Sequence, residues 1–190
     1  MYQQLIDKKE KLAVIGLGYV GLPIALEFAR HTSVIGFDIN EKRIALMKQG
    51  IDPSNELEPD AFNGCDITFT NSLDVLRQAK FFVVAVPTPV DEHNVPDLTP
   101  VQKASETIGK VVKKGDYVVF ESTVYPGCTE EFCVPILEKI SGLKFNADFY
   151  CGYSPERINP GDKVHRVTTI KKVTSGSTPE IAEKVDQLYK

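Results

Sequence analysis

The chain has 190 residues, of which 42% are hydrophobic and 25% are charged, values that are ordinary for a soluble globular domain. Its net charge of −4 and its pI near 5.5 argue against a general nucleic-acid binder and against attachment to anionic membranes. No apolar run is long enough to span a membrane, and the N-terminus lacks a signal-peptide core. We therefore expect a cytoplasmic protein with no membrane or nucleic-acid partner.

The cysteines and histidines give no sign of a metal centre. The four cysteines form no C-x-x-C pair, and their spacing matches neither a zinc site nor a disulfide framework. The three histidines are scattered along the chain. We expect no bound metal and four reduced thiols, at Cys65, Cys128, Cys133 and Cys151.

The first predicted element is a strand over residues 12–15, which are all apolar and favour burial on both faces of a sheet. A G-x-G-x-x-G motif follows, and an apolar helical pattern then runs to about Arg30. The first glycine would permit a tight turn, the second would let the backbone approach a pyrophosphate, and the third would let the helix pack closely. The motif predicts a dinucleotide site whose candidate residues are Gly16, Gly18, Tyr19, Val20 and Gly21.

The second predicted strand, over residues 33–37, ends in Asp38, which follows Gly16 by 22 residues. This spacing is close to that of the acidic residue that binds the adenosine ribose hydroxyls. A carboxylate there would repel a 2′-phosphate and favour NAD over NADP. The alternative is that the glycines form a coincidental structural turn. Asn40 is predicted to cap a helix over residues 41–48, and residues 51–63 are predicted to form a loop or a short irregular helix.

The rest of the chain continues to alternate between strands and helices. Strands are predicted at 67–70, 81–86, 117–121, near 148–152 and at 172–176. Helices are predicted from Asn71 or Ser72 to about 79, from a capping box at Thr99 to about 113, at 129–140, and at 181–189 after a second capping box at Ser177. The alternation predicts an α/β fold, a doubly wound and mostly parallel Rossmann-type sheet with helices on both faces, over residues 11–190. Residues 1–10 are expected to form a flexible lead-in.

Several predicted strands end in polar residues or prolines, namely at Pro87-Thr88-Pro89, Ser122-Thr123 and Ser154-Pro155-Glu156. Because the carboxyl ends of parallel strands share one edge of the sheet, we expect these segments to line one crevice with the glycine motif and Asp38. Thr88 is a candidate cofactor contact, and the alternative is an ordinary loop hydroxyl.

At these motifs the sequence resembles the UDP-glucose/GDP-mannose dehydrogenase family over nearly all of residues 11–190. The resemblance is carried by residues 16–23 (GLGYVGLP), 86–89 (VPTP), 121–127 (ESTVYPG) and 154–157 (SPER). Residues 154–162 look most like the branch that oxidises UDP-N-acetylhexosamines. UDP-glucose enzymes usually carry a second glutamate four residues after the first, where this chain has Pro160.

The resemblance implies that the chain is the NAD-binding portion of a longer nucleotide-sugar 6-dehydrogenase of polysaccharide biosynthesis. Such an enzyme oxidises the C6 hydroxymethyl group of a UDP-sugar to a carboxylate with two NAD, and it captures the intermediate aldehyde on a cysteine. None of the four cysteines here matches that nucleophile. The central helix that builds the family's homodimer and the UDP-binding domain would lie outside these residues, so we expect the fragment to bind NAD without turnover.

The resemblance also suggests roles for individual residues. Thr123 would orient a water molecule on the nicotinamide side, and Glu156 would help proton transfer through that water. Arg43 would cover the adenosine end, while Pro87, Thr88 and Ser122 would contact the cofactor, and Arg157 and Asn159 the sugar nucleotide. Two alternatives stay open at this point. Glu156 could be a loop carboxylate paired with Arg157, and Arg43 could be a solvated helix charge.

Two other functions remain as alternatives. A β-hydroxyacid or 6-phosphogluconate-type dehydrogenase domain opens with a similar glycine turn, but it leaves the S-P-E-R run unexplained. A non-catalytic NAD-binding module would need only the glycine motif and Asp38.

Overall fold

A computed structural model describes residues 1–157 and 171–190 of the chain. In this part of the chain seven strands form one sheet in the order β3-β2-β1-β4-β5-β6-β7. The first six strands pair in parallel, and β7 is antiparallel to β6. The strands are β1 (Lys11–Ile15), β2 (Ser33–Phe37), β3 (Ile67–Thr70), β4 (Ala79–Val84), β5 (Asp116–Phe120), β6 (Phe149–Tyr153) and β7 (Ser175–Gly176).

Helices connect the strands and cover both faces of the sheet. A short 3₁₀ helix spans Pro59–Phe62, and a π-helical turn at Thr129–Cys133 runs directly into the sixth α-helix. The α-helices are α1 (Tyr2–Ile6), α2 (Gly21–Ala29), α3 (Glu41–Met47), α4 (Leu73–Leu76), α5 (Thr99–Gly109), α6 (Val134–Ser141) and α7 (Pro179–Tyr189). No helix in residues 1–157 and 171–190 is long and apolar enough to cross a lipid bilayer.

Alternation along the central strands divides the core into two apolar layers, because successive side chains of a strand point to opposite faces. Ala13 and Phe82 belong to the layer that also contains residues of α5 and α6. Leu12 and Phe81 belong to the layer that also contains residues of α2 and α7. Both faces of the sheet are therefore buried, and the predicted doubly wound, mostly parallel Rossmann-type fold is confirmed.

The lead-in prediction is wrong for the first residues, which form helix α1. Leu5 of this helix has no exposed surface and joins the same apolar layer as α7. An apolar side chain in a short polar segment carries too weak a periodicity to predict such docking. The segment that follows is also anchored, since the Lys8 ammonium lies 2.7 Å from the Asp66 carboxylate.

Three boundary predictions are also wrong. The helix predicted to reach 79 ends at Leu76, because β4 already begins at Ala79. The capping box at Thr99 does not form, since the Asp97 carboxylate accepts the Thr99 amide at 2.9 Å instead. The last strand comprises only Ser175–Gly176 and is antiparallel.

Two helix caps agree with the sequence pattern. The Asn40 side chain accepts the backbone N–H groups of Lys42 and Arg43, and so it caps α3 as predicted. The cap of α7 lies one residue later than the predicted Ser177, because the Thr178 hydroxyl accepts the Ile181 amide.

Leu5→Ala is expected to lower the free energy of unfolding by about 2–3 kcal/mol, because it removes a fully buried side chain and leaves a cavity between α1 and α7. Urea denaturation of the 190-residue chain measures this difference. Gln4→Ala, at an exposed position of the same helix, is the matched control and should leave stability unchanged. Equal stabilities of the two variants would contradict the docking of α1.

Candidate functional site

The turn after β1 is built by two glycines that touch each other. Gly16 has a φ of +88°, which other residues rarely adopt, and its amide donates to the Phe37 carbonyl at 2.9 Å. A Cβ on Gly21 would lie 1.8 Å from the Gly16 carbonyl oxygen. Helix α2 can therefore begin directly against the turn only because position 21 has no side chain.

Between these glycines the backbone presents unused donors. The amides of Gly18, Tyr19 and Val20 donate to no acceptor within the part of the chain that the structure describes. A Cβ placed on Gly18 would meet nothing within 4 Å, so this side of the loop faces open space. Free amides at the start of a helix, next to open space, form a cradle suited to a diphosphate.

This cradle lies where the strand order reverses. The chain runs from β1 outward to β2 and β3, and then returns to the other side of β1 with β4. In doubly wound sheets the crevice at such a switch point binds the ligand. The Val86 side chain lies close behind the loop, since a Cβ on Gly16 would approach its Cγ1 to 2.8 Å.

Asp38 and Arg43 are both attached to Leu17 of the glycine loop. One carboxylate oxygen of Asp38 accepts the Leu17 amide at 3.0 Å, and the other accepts the Asn40 amide at 2.8 Å. The Arg43 guanidinium donates to the Leu17 carbonyl at 2.8 Å. The carboxylate therefore lies against the loop, as the spacing predicted, and it keeps lone pairs for further donors.

Arg43 is held from its other side as well. Its guanidinium donates to the Ser54 hydroxyl at 3.0 Å. The loop that carries Ser54 is folded around the buried Asp52 carboxylate, which accepts the amides of Ser54, Glu56 and Leu57 at 2.8–3.0 Å. The structure thus gives Arg43 fixed partners, unlike a solvated helix charge.

The ends of β4 and β5 are joined by two side-chain hydrogen bonds. The Ser122 hydroxyl donates to the Val86 carbonyl at 2.6 Å, and the Thr88 hydroxyl donates to the Thr123 carbonyl at 2.7 Å. Pro87 lies between these contacts and is exposed. The hydroxyl of Ser122 is buried in this link, whereas Thr123 is exposed.

The turn after β6 carries Glu156 and Arg157. The Glu156 amide donates to the Glu121 carbonyl at 3.1 Å, and one Glu156 carboxylate oxygen accepts the Arg157 amide at 2.5 Å. The other carboxylate oxygen lies 3.8 Å from the Lys172 ammonium. Arg157 itself is exposed, and Asn159 lies outside the described residues.

The sequence analysis missed the buried ion pair between Glu121 and Lys172. The Lys172 ammonium donates to a carboxylate oxygen of Glu121, whose side chain has no exposed surface. Burial raises the pKa of the Glu121 carboxyl, and the Lys172 ammonium opposes this rise. The sequence offered one signal of this pair, because Glu121 is a charged residue directly after four apolar strand residues. Its partner stands 51 residues further along the chain, so no local pattern connects the two.

The thiols of this chain are poor candidates for a nucleophile. Burial raises the pKa of all four: that of Cys65, that of Cys128, that of Cys133 to about 12, and that of Cys151 well above its usual range. The thiol forms therefore dominate at neutral pH. In residues 1–157 and 171–190, no group of three or more His, Cys, Asp or Glu side chains could hold a metal ion.

The loop after β1 offers free amides, the residue after β2 offers a carboxylate, and the strand order reverses at β1. These three features define a Rossmann-type dinucleotide-binding domain. Residues 10–190 match the sequence profile of the UDP-glucose/GDP-mannose dehydrogenase family, NAD binding domain. The chain belongs to this family, and its cofactor is NAD.

Curated and solved relatives agree with this membership. The chain is 63% identical over 184 residues to the UDP-N-acetyl-D-glucosamine 6-dehydrogenase of Pseudomonas aeruginosa, a match that covers 96% of this chain and 44% of that protein. The solved UDP-D-ManNAc dehydrogenase of Pyrococcus horikoshii superposes with a TM-score of 0.83 at 31% identity, over 94% of this chain and 44% of that one.

A third relative is the NDP-N-acetyl-D-galactosaminuronic acid dehydrogenase of Methanosarcina mazei. It superposes with a TM-score of 0.86 at 27% identity, over 99% of this chain and 44% of that one. The chain thus spans less than half the length of these relatives.

Two glycine substitutions should separate folding from NAD binding. Gly21→Ala places a methyl group against the Gly16 carbonyl and should lower the free energy of unfolding by about 2 kcal/mol or more. Gly18→Ala meets open space, so stability should change by less than about 0.5 kcal/mol, while NAD affinity falls about tenfold or more because the methyl group enters the diphosphate cradle.

Urea denaturation and calorimetric titration with NAD on both variants check this contrast. Unchanged NAD affinity in Gly18→Ala would contradict the cradle, and unchanged stability in Gly21→Ala would contradict the packing of α2 on the turn.

Proposed function

We propose that this chain is the NAD-binding part of a UDP-N-acetylhexosamine 6-dehydrogenase, an enzyme that oxidises the C6 hydroxymethyl group of the sugar to a carboxylate with two NAD. The observation that carries the proposal is the 63% identity, over 96% of this chain, to a UDP-N-acetyl-D-glucosamine 6-dehydrogenase. The Ser-Pro-Glu-Arg run followed by Pro160 supports the N-acetylhexosamine branch over UDP-glucose.

The geometry of the glycine loop supports the proposed cofactor-binding roles. The amides of Gly18, Tyr19 and Val20 would hold the diphosphate, while Gly16 and Gly21 shape the loop. The Asp38 carboxylate, already fixed by the Leu17 amide, would accept the hydroxyls of the adenosine ribose.

On the adenosine side, Arg43 would close the site. Its bonds to the Leu17 carbonyl and the Ser54 hydroxyl hold the guanidinium beside the loop that bears the carboxylate. Arg43 would therefore cover the adenosine without a large loss of side-chain entropy on binding.

The ends of β4 and β5 would form the nicotinamide side. NAD supplies the hydride acceptor there. Pro87, Thr88 and Ser122 would line this wall. The Ser122 hydroxyl is bound to the Val86 carbonyl and the Thr88 hydroxyl to the Thr123 carbonyl, which leaves the exposed Thr123 side chain to orient a water molecule. Glu156, in the turn after the neighbouring strand β6, would take a proton through that water.

Arg157 and Asn159 would contact the sugar nucleotide. The nucleophilic cysteine, the UDP-binding domain and the homodimer interface would come from residues outside this chain, and the enzyme would act in the cytoplasm. Residues 11–190 would be the NAD-binding domain, and the chain alone would bind NAD without turnover.

The alternative enzyme, a β-hydroxyacid or 6-phosphogluconate-type dehydrogenase, has less support. The profile of the nucleotide-sugar family spans residues 10–190, including the Ser-Pro-Glu-Arg run that this alternative leaves unexplained. A non-catalytic NAD-binding module would give no reason for a carboxylate and a buried lysine at the end of β6.

Calorimetric titration of the 190-residue chain should show NAD binding about tenfold tighter than NADP binding or better, because the Asp38 carboxylate repels a 2′-phosphate. Asp38→Asn keeps an oxygen acceptor for the Leu17 amide and should reduce this preference. Asp74→Asn, at an exposed carboxylate of α4, is the matched control and should leave the preference intact. Tighter NADP binding by the unaltered chain would count against the assignment.

In the complete enzyme, each UDP-N-acetylhexosamine consumed should yield two NADH. Thr123→Ala and Glu156→Gln should lower kcat by about a hundredfold, as loss of a proton-transfer group does, while NAD affinity changes by less than about threefold. Absorbance at the NADH band together with product analysis measures kcat and the number of NADH formed per sugar. Calorimetric titration measures NAD affinity. One NADH per sugar would exclude the two-step oxidation, and unchanged kcat would remove both residues from the catalytic set.

A further inference from the structure

A cluster of charged side chains is buried where β5 and β6 end. The Glu121 side chain has no exposed surface, and those of Lys172 and Glu156 are each 10% exposed. The Lys172 ammonium donates to Glu121 and lies 3.8 Å from a carboxylate oxygen of Glu156. One cation is therefore shared by two carboxylates in a site with little water.

Burying charges is costly unless each one is compensated, so the cluster needs a reason. An apolar residue at position 121 would pack in the core after β5 equally well, so the strand itself does not need a charge there. The lysine also comes from a part of the chain just before β7 and α7, far in sequence from both carboxylates. Local folding of β5 or β6 does not require this contact.

The contacts of Lys172 converge on the turn that carries Glu156. Its ammonium lies 3.4 Å from the Pro155 carbonyl, next to its approach to the Glu156 carboxylate. The Glu156 amide in turn donates to the Glu121 carbonyl at 3.1 Å. Lys172 thus touches both the backbone and the side chain of the turn, while Glu121 holds the lysine from the opposite side.

The other group facing this cation is Tyr189, at the end of α7. The ammonium lies 5.6 Å from the centre of the Tyr189 ring. Burial, together with the neighbouring Glu121 carboxylate, raises the pKa of the Tyr189 phenol well above its usual range. The phenol therefore stays neutral at physiological pH, and the charged groups of the described cluster are Glu121, Glu156 and Lys172.

We propose that Lys172 is a positioning residue for the reaction, which holds the Glu156 carboxylate in place at the edge of the crevice, with Glu121 as the anchor of the lysine. The inference rests on the proposed function, in which Glu156 moves a proton. The ammonium contacts both the Pro155 carbonyl and the Glu156 carboxylate, so its removal frees the Glu156 side chain to leave this position.

The test compares four variants in the complete enzyme: Lys172→Met, Lys172→Arg, Glu121→Gln and the double variant Glu121→Gln/Lys172→Met. For each, kcat and the KM for the UDP-sugar are measured, together with the NAD dissociation constant and the melting temperature. The unaltered enzyme and Glu156→Gln are measured first.

Loss of the cation should act on turnover and not on the cofactor. For Lys172→Met we expect kcat at neutral pH to fall about tenfold or more. The KM for the UDP-sugar should change by less than about threefold and NAD affinity by less than about twofold, because the lost contacts position the reacting group and not the ligands. Lys172→Arg keeps the charge and should retain most of the activity.

The double variant separates positioning from simple charge compensation. It removes both members of the buried pair, so the melting temperature should recover relative to Lys172→Met, because no uncompensated carboxylate is left at position 121. Turnover should nevertheless stay lowered, since the turn that carries Glu156 still lacks its contacts with the Lys172 ammonium. Recovery of turnover together with the melting temperature would show that Lys172 serves only to neutralise Glu121, and would overturn the proposal.

The opposite end of β5 offers a matched control. There the buried Asp116 carboxylate lies 3.2 Å from the Lys80 ammonium, away from the crevice. Lys80→Met should lower the melting temperature and leave kcat within about twofold. An unchanged kcat in Lys172→Met, with the unaltered enzyme and Glu156→Gln behaving as proposed, would reject this inference alone. Absence of UDP-sugar oxidation by the unaltered enzyme would reject the proposed function and this inference with it.

Discussion

The close contact between Gly21 and the Gly16 carbonyl is the constraint on which the functional end of the molecule depends. Any Cβ at position 21 would lie 1.8 Å from that oxygen, so the first turn of α2 can pack against the exit of β1 only with glycine there. This packing aims the helix N-terminus into the crevice at the point where the strand order reverses. It also leaves three amides in the loop without acceptors among the described residues.

Leu17, inside the same loop, connects the glycine turn to Asp38 and Arg43. Its amide is bound by Asp38 and its carbonyl by Arg43, so an anion and a cation from consecutive elements are fixed by one peptide segment. The buried Asp52 organises the next loop and brings the Ser54 hydroxyl to the guanidinium. Both charged groups are therefore positioned before any ligand arrives, which reduces the ordering cost of binding.

The sequence was informative wherever one local pattern decides the structure. Buried parallel strands read as continuous apolar runs, so β1, β2 and β5 could be located within a residue or so. The glycine spacing and the distance to Asp38 predicted that this carboxylate lies against the glycine loop, because both follow from the geometry of one βαβ unit.

Features that depend on distant residues could not be predicted in this way. The docking of Leu5 beside α7 joins the two ends of the chain, and the antiparallel pairing of β7 depends on its position at the edge of the sheet next to β6. At Thr99 the helix begins one residue earlier than the hydroxyl pattern predicted, so Leu98 is the N-cap and the Asp97 carboxylate accepts the Thr99 amide. Local motifs offer several possible donors and acceptors, and packing selects among them.

The two ends of β5 show why burial alone does not reveal the purpose of a charge. Asp116 begins the strand and accepts the amide of Lys113 at 2.7 Å, so that carboxylate closes the turn from which its own strand starts. Glu121 follows the strand, and its cation comes from 51 residues away and also faces Glu156. The Lys80 ammonium, from the start of the neighbouring strand β4, lies 3.2 Å from the same Asp116 carboxylate, so distant compensation occurs at both ends of β5. What distinguishes Lys172 is that it also contacts the turn after β6, and so links that turn to the segment before α7.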